Sequence, residues 1–235
     1  MAEIEALDRA RRLLRGAGYG TLATLDGRDG GPFASLVAMA TTPDGAPVML
    51  LSDLAEHTKN LAQDTRASIL IDGTAGLSDR LTGPRLTLVG RVEPTTDDDA
   101  IKRYLLRHPS AALIGGFADF RHYRLVIERA HQVAGFGRID DLDGGDLRVA
   151  QSLAADIAAL EVDALARMNA LHRQTLDVFG PDAVIAALDA DGAELRSLDR
   201  AARGDFDRRL GTVSELDDAV GALMYRMGQD TTPKG

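Results

Sequence analysis

One short stretch, residues 48–71, holds the densest group of side chains able to bind a cofactor. Its sequence, VMLLSDLAEHTKNLAQDTRASILI, predicts a strand, a short helix and a second strand. The polar residues between its two apolar runs include Ser52, His57, Thr58, Lys59 and Asn60. Hydroxyl, amide and ammonium groups where a strand meets a helix are typical of sites that bind an anion. The residues alone therefore predict a binding site here without identifying its ligand.

Two acidic residues limit what this stretch can bind. Either Ser52 or Asp53 is expected to cap the helix, which we predict to begin near Leu54. Asp53 and Glu56 would repel a highly charged anion at the first turn. A phosphate is therefore expected on the side that carries the five polar residues. The alternative is an ordinary amphipathic helix, with Leu54 and Leu61 buried and the polar residues in water.

Other kinds of catalytic site find little support in the sequence. The chain has no cysteine, which excludes disulfides, thiolate metal sites and cysteine nucleophiles. Its 5 histidines form no HExxH motif and no other i,i+4 pair, which argues against a zinc site. There is no GxSxG nucleophile motif and no Walker A loop. No residue can be named as a general acid or base from these patterns.

The composition is typical of a soluble globular protein with a substantial core, because 45% of its residues are hydrophobic. A formal net charge of −9 and the absence of tryptophan argue against a nucleic-acid partner. No apolar run approaches the ~20 residues that span a bilayer, and the N-terminus lacks the features of a signal peptide. We therefore expect a cytoplasmic protein with no membrane partner.

Short strands and turns occupy most of the first 140 residues. Turns containing glycine or proline separate strands predicted at residues 19–25, 33–41, 47–51, 67–72, 85–93, 121–129 and 131–136. Helices are predicted at residues 2–15 and from an N-cap at Thr96 to Arg107. Strands this short favour an antiparallel barrel over alternating strand–helix–strand units.

The pattern changes after residues 139–146, IDDLDGGD, which are acidic and predicted to form a turn. We place the domain boundary there, between a first domain over residues 1–142 and a second over residues 143–235. The second domain is predicted to be a small α/β unit. Its expected elements are a long helix over 147–179, a hairpin of strands 184–188 and 194–198, and a helix over 215–227.

Three stretches carry a resemblance to a known family: residues 20–71, residues 81–94 (LTGPRLTLVGRVEP) and residues 131–139 (HQVAGFGRI). They resemble the flavin-binding split barrel of the pyridoxamine 5′-phosphate oxidase superfamily. Within it they are similar to the branch of haem-utilisation and haem-degrading proteins. Residues 147–230 resemble the small α/β domain that often follows the barrel in that branch.

The resemblance implies an α+β fold, a six-stranded antiparallel split barrel followed by a small α/β domain. It also implies a homodimer with FMN at the subunit interface. The FMN phosphate would be held by the third strand and by the junction after the fourth strand, near Ser52, His57, Thr58, Lys59 and Asn60. Ser35 corresponds to a position on the third strand of the family, and the backbone around Leu36 and Val37 would face the isoalloxazine ring.

This chain departs from the oxidases at their charged positions. They carry an arginine on the third strand and an Arg–Lys pair at the helix, where this sequence has Ser35, Glu56 and His57. Fewer fixed cations predict weaker phosphate binding. The substrate-binding segment of the oxidases has no counterpart, so pyridoxamine-phosphate oxidase activity is not expected.

Histidines provide the alternative site. Relatives with the second domain commonly carry an HMNxDH-like motif, where residues 167–172 read RMNALH and retain His172. His131, on the last predicted barrel strand, is the other histidine available as a haem ligand. Three functions stay open. They are an FMN-dependent oxidoreductase of a small-molecule substrate, a haem-binding or haem-degrading protein, and a non-catalytic regulatory binding module.

Overall fold

The computed structural model describes residues 2–113, 115–135, 137–198 and 201–229. The chain forms two compact units, Met1–Arg148 and Val149–Gly235. Within the described residues, no helix is both long and apolar enough to cross a membrane.

The first unit is built around a curled antiparallel sheet. Its strands are β1 (Tyr19–Leu25), β2 (Pro32–Ala38), β3 (Ala40–Thr41), β4 (Pro47–Ser52), β5 (Arg66–Asp72), β6 (Pro84–Pro94), β7 (Phe120–Ala134) and β8 (Ile139–Asp143). They follow the order β2-β1-β5-β6-β7-β4-β3, and β8 pairs with β7. Helices α1 (Ala2–Gly16), α2 (Glu56–Gln63), α3 (Asp98–Arg107) and α4 (Gly144–Leu147) complete the unit. This architecture confirms the predicted split-barrel fold.

The sheet has a buried inner face because apolar side chains alternate along its strands. Ladder partners share a face, so one inner row crosses the strands from β2 to β8. That row consists of Ser35, Leu22, Ile69, Leu88, Ala130 and Leu142. Side chains of α1 join the same core, including Leu14, which is almost fully buried. Each fully buried leucine or isoleucine contributes about 1.5–3 kcal/mol to folding.

The outer face of the same strands is more polar and more exposed. The neighbouring row on this face consists of Leu36, Thr21, Leu70, Thr87, His131 and Asp141. Leu36 is 75% exposed and Leu70 is 40% exposed. Two large apolar side chains and one histidine therefore lie on a single row of the outer sheet face.

A bulge between β6 and β7 sets the register of this face. The register shifts between Val89 and Gly90, so that Glu128 is the extra residue on β7. A Cβ atom at Gly90 would lie 1.9 Å from the carbonyl oxygen of Val126, so only glycine fits there. Beyond the bulge, Arg129 and His131 alternate with the buried Ala130.

Several predicted elements of the first unit differ from the observed ones. The strand predicted over 33–41 divides at Met39 into β2, which pairs with β1, and β3, which pairs with β4. The strands predicted over 121–129 and 131–136 form one strand, β7, and Phe136 lies outside the described residues. Residues 139–143 were predicted to be a turn, yet they form β8, because pairing with β7 overrides their acidic, glycine-flanked composition.

The helix of the predicted binding stretch also begins later than expected. Helix α2 starts at Glu56 after an N-cap at Ala55 that makes no side-chain capping bond. Ser52 instead accepts a hydrogen bond from the Leu54 N–H, which forms a local turn before the helix. Leu54 is exposed rather than buried, while Leu61 packs in the core as expected.

The described residues of the second unit include three strands and three α-helices. The strands β9 (Val184–Asp189), β10 (Gly192–Arg196) and β11 (Ala201–Asp205) form one antiparallel sheet in the order β11-β10-β9. The helices are α5 (Gln151–Leu171), α6 (Arg173–Phe179) and α7 (Leu216–Gln229). The long helix predicted over 147–179 is therefore two helices, which meet at His172. Strand β11 was not predicted.

Candidate functional site

The structure distributes the predicted cofactor residues over separate locations around α2 and on both faces of β2. Ser35 and His57 come together, since the Ser35 hydroxyl and His57 Nδ1 lie 3.0 Å apart. His57 Nε2 is buried and has no hydrogen-bond partner among the described residues. Burial lowers the pKa of the His57 imidazole below its usual range. The ring is therefore neutral at pH 7 and adds no positive charge for a phosphate.

Asn60 is occupied by contacts within the fold. Its side-chain N–H donates to the Thr24 hydroxyl over 3.1 Å, and its carbonyl oxygen accepts from the Gly27 N–H over 3.1 Å. Asn60 is only 2% exposed. Its amide therefore joins α2 to β1 and to the turn that follows β1.

Ser52 and the cations near α2 also have partners within the fold. The Ser52 hydroxyl donates to a carboxylate oxygen of Asp119 over 3.0 Å. Arg121 pairs with Asp53 at 2.9 Å, and Lys59 pairs with Glu56 at 3.4 Å. These carboxylates neutralise the two cations, so this region offers little net positive charge to a phosphate.

Thr58 and Lys59 lie beside a cleft of about 390 Å³ between α2 and the ends of β6 and β7. Ser35 and His57 do not line it. The Thr58 hydroxyl is buried and has no hydrogen-bond partner among the described residues. The predicted stretch therefore contributes to two different places, the Ser35–His57 contact and this cleft.

The neighbouring positions Leu36 and Val37 lie on opposite faces of β2. Val37 belongs to the hydrophobic core, whereas the Leu36 side chain is exposed on the outer face. Only Leu36 is therefore available to a ligand through its side chain.

His131 lies on the outer face and is held by a carboxylate. It faces Asp141 across the β7–β8 ladder, and its Nδ1 lies 2.8 Å from Asp141 Oδ1. A carboxylate only accepts hydrogen bonds, so Nδ1 carries a proton, and Nε2 is the nitrogen that offers a lone pair in the neutral ring. The His131 side chain is 42% exposed. This pairing was not predicted, because Asp141 belongs to the segment assigned to a turn.

A free arginine lies close to this histidine on the same strand. Arg129 is two residues from His131, which places their Cα atoms about 7 Å apart in an extended chain. Its side chain is exposed and forms no ion pair or hydrogen bond with any described residue. The ladder partner Asp143 uses one carboxylate oxygen to accept the Gly145 N–H over 2.8 Å. The outer face thus carries an imidazole whose Nδ1 is hydrogen-bonded to a carboxylate, as is common in metal-binding histidines. Beside it lies a guanidinium that is unpaired among the described residues.

His172, the other predicted haem ligand, lies in the second unit. It ends α5 and begins α6, where its N–H donates to the carbonyl of Met168. Its Nε2 is buried and has no hydrogen-bond partner among the described residues. This buried atom is less accessible to a planar ligand than the exposed imidazole of His131.

The described part of the chain contains no group of three or more His, Asp or Glu side chains arranged to hold a metal ion.

The curled antiparallel sheet places this protein among the split-barrel proteins. The chain belongs to the family described as CREG, beta-barrel, which matches residues 3–146. This match and the relatives below confirm the resemblance drawn from the sequence.

One curated relative is the non-canonical heme oxygenase HOZ, chloroplastic, of Arabidopsis thaliana. It is 33% identical over 138 residues, which cover 57% of this chain and 42% of the relative. The chain thus spans about two fifths of that relative's length.

Two solved structures are similar over nearly the whole chain. The protein Atu2129 of Agrobacterium tumefaciens str. C58, of unknown function, has a TM-score of 0.74 and 31% identity, covering 93% of this chain and 94% of its own. A heme binding protein from Mycobacterium smegmatis has a TM-score of 0.58 and 31% identity, covering 95% of this chain and 98% of its own.

Proposed function

We propose that this protein binds haem on the outer face of its barrel, where His131 would hold the iron. The observation that carries the proposal is the hydrogen bond of 2.8 Å between His131 Nδ1 and Asp141. Histidines that bind metals commonly donate their second N–H to a carboxylate, which fixes the tautomer and makes the ligating nitrogen more basic. The names of two relatives at 33% and 31% identity, a heme oxygenase and a heme binding protein, support the same ligand.

The residues around His131 fit a porphyrin. Thr87 and Leu70 follow His131 along this row, so Leu70 offers an apolar side chain to the edge of a flat ring. Arg129 offers an unpaired guanidinium to a propionate carboxylate, the pairing for which arginine geometry is well suited. When bound, haem supplies an iron centre at which O₂ and redox chemistry take place. The protein residues bind the group, orient it and keep the proton on Nδ1 of His131.

The exposed row covers only one side of a planar ligand. We propose that a second copy of the chain covers the other side, so that the site lies in a homodimer. The exposed Leu36, with 75% of its surface accessible, supports this proposal because apolar side chains on an open sheet face favour association. Analytical ultracentrifugation with and without haem tests it. A monomer under both conditions contradicts the homodimer.

FMN binding, with flavin-dependent oxidoreduction of a small molecule, is the second candidate function. It is supported by the contact of 3.0 Å between Ser35 and His57, which joins the third-strand and junction positions assigned to the phosphate. The neutral state of His57 and the ion pairs of Lys59 and Arg121 weigh against a tight phosphate site.

Absorption spectroscopy distinguishes these candidates. We expect titration of the purified protein with haemin to give a shifted Soret band that saturates at micromolar concentration. His131→Ala should abolish the shift, and His172→Ala should leave it unchanged. If His172→Ala abolishes it and His131→Ala does not, the axial ligand lies in the second unit. Binding of FMN but not haem supports the second candidate, and binding of neither supports a non-catalytic regulatory module.

A further inference from the structure

The cleft beside α2 has the composition of a small-molecule pocket. Its volume is about 390 Å³, near the lower end of the range of about 300–1,000 Å³ for such pockets. The side chains of Leu61, Ala62, Val92 and Pro94 supply apolar walls. A ligand with a compact apolar body would therefore displace water from apolar surface on entering.

Two residues that carry hydroxyl groups, Thr58 and Tyr123, line this cleft. Thr58 is only 6% exposed, and its Oγ1 makes no hydrogen bond with any described residue. Tyr123 is 9% exposed, and its hydroxyl makes no hydrogen bond with any described residue. Burial, with a smaller contribution from the Asp53 carboxylate, raises the pKa of Tyr123, so the phenol stays protonated and able to donate.

A buried hydroxyl without a partner destabilises a folded protein, and natural structures contain few of them. Thr58 lines a cleft rather than a closed core, so a ligand bound beside it can supply the partner that its covered hydroxyl lacks. A group that accepts hydrogen bonds from Thr58 and Tyr123 would satisfy both hydroxyls at once. A carboxylate is acceptor-only and has enough lone pairs for both.

The charged residues around the cleft favour a ligand with one negative charge over a ligand with two. Arg121 lines it and pairs with Asp53, whose side chains are 63% and 35% exposed. Pairs this exposed contribute little, so the guanidinium can exchange Asp53 for a ligand carboxylate. Asp53 also lines the cleft and repels a dianion such as a phosphate monoester.

We propose that this cleft is a second binding site, which takes a small monocarboxylate with an aromatic or branched apolar body. Thr58 and Tyr123 donate to the carboxylate, Arg121 balances its charge, and the apolar walls contact its body. The site does not depend on haem, since His131 and the outer row do not line the cleft.

Nuclear magnetic resonance of the full-length protein tests the site with 4-phenylbutanoate as the probe. We expect saturable shifts confined to amides around the cleft. Thr58→Val keeps the shape of the side chain and removes the hydroxyl, so it should weaken binding about threefold to tenfold. Thr87→Val, on the outer face, is the matched control and should not change the affinity.

Neutral 4-phenylbutan-1-ol tests the charge of the ligand and should bind several-fold more weakly than the carboxylate. Equal binding of the two probes overturns the carboxylate assignment. Unsaturable shifts at millimolar concentration, or shifts away from α2, overturn the site itself. Should Thr58→Val fail to fold, Tyr123→Phe provides the same test, and unchanged affinity in that variant also overturns the proposal.

Discussion

The imidazole of His131 and the carboxylate of Asp141 face each other across β7 and β8, with 2.8 Å between Nδ1 and Oδ1. Their strands are neighbours in the ladder, and both side chains lie on the outer face of the sheet. The pair is therefore oriented by backbone register rather than by a flexible loop. This relationship defines the tautomer of His131 and underlies the first prediction.

Asp141→Asn should weaken haem binding about 10-fold to 100-fold, because loss of a carboxylate behind a ligating imidazole typically has an effect of that size. The Soret titration described above measures the affinity. Asp140→Asn, on the same strand, is the control. Asp143→Asn is unsuitable because the Asp143 side chain caps α4. Unchanged affinity in Asp141→Asn would show that the pair does not support a ligand.

Arg129→Ala should weaken haem binding about tenfold or more, since a hydrogen bond to a charged group contributes about 1.5–3 kcal/mol. The expected reason is loss of a propionate partner. Haem dimethyl ester, which lacks propionate charge, should bind the variant and the native protein equally. Arg124→Ala is the control, because Arg124 lies on the same strand and already pairs with Glu93. If the variant loses affinity for the ester too, Arg129 does not act through a propionate.

Thr58→Val should raise the free energy of unfolding of the ligand-free protein by about 1 kcal/mol, because it removes a buried hydroxyl that has no partner. Thr24→Val is the matched control. Thr24 is equally buried, but its hydroxyl accepts from Asn60, so its loss should destabilise the protein. Urea unfolding monitored by circular dichroism measures both changes. A destabilised Thr58→Val would indicate that the hydroxyl has a structural partner.

The folded protein should lose stability as the pH falls below about 6.5, in part because of His122. Burial lowers the pKa of this imidazole, and its buried Nε2 has no partner within the described residues. The unfolded chain therefore takes up a proton near pH 6.5 that the folded protein takes up only at lower pH. The stabilising contribution is complete above pH 6.5 and is lost as the pH falls from there through the folded pKa.

His122→Phe tests this contribution and keeps an aromatic ring beside Tyr104, whose ring lies 5.5 Å from that of His122. Urea unfolding between pH 7 and pH 5 should show a shallower loss of stability in the variant than in the native protein. Parallel losses would mean that other groups, such as His57 or His108, account for the dependence.

Local patterns were sufficient to predict much of the barrel. Alternating apolar residues in segments such as 85–93 identify strands because the side-chain period of a strand is two, whatever its partners. The same logic failed for residues 139–143, since their acidic side chains and following glycines favour a turn until β7 supplies a pairing partner. Strand β11 was also missed, because its residues, AARGD, carry no apolar alternation.

For the candidate sites too, the sequence predicted some features and only the fold decided others. The sequence by itself determined that residues 52–60 and His131 are chemically capable positions, because side-chain chemistry is a property of each residue. Only the tertiary structure decided that His131 meets Asp141. It also decided that the Asn60 side chain hydrogen-bonds to Thr24 and Gly27, and that the Thr58 hydroxyl has no partner among the described residues. Each of these outcomes depends on the register between strands and on which face of α2 meets the sheet. Those relations join residues far apart in the chain, and no local pattern encodes them.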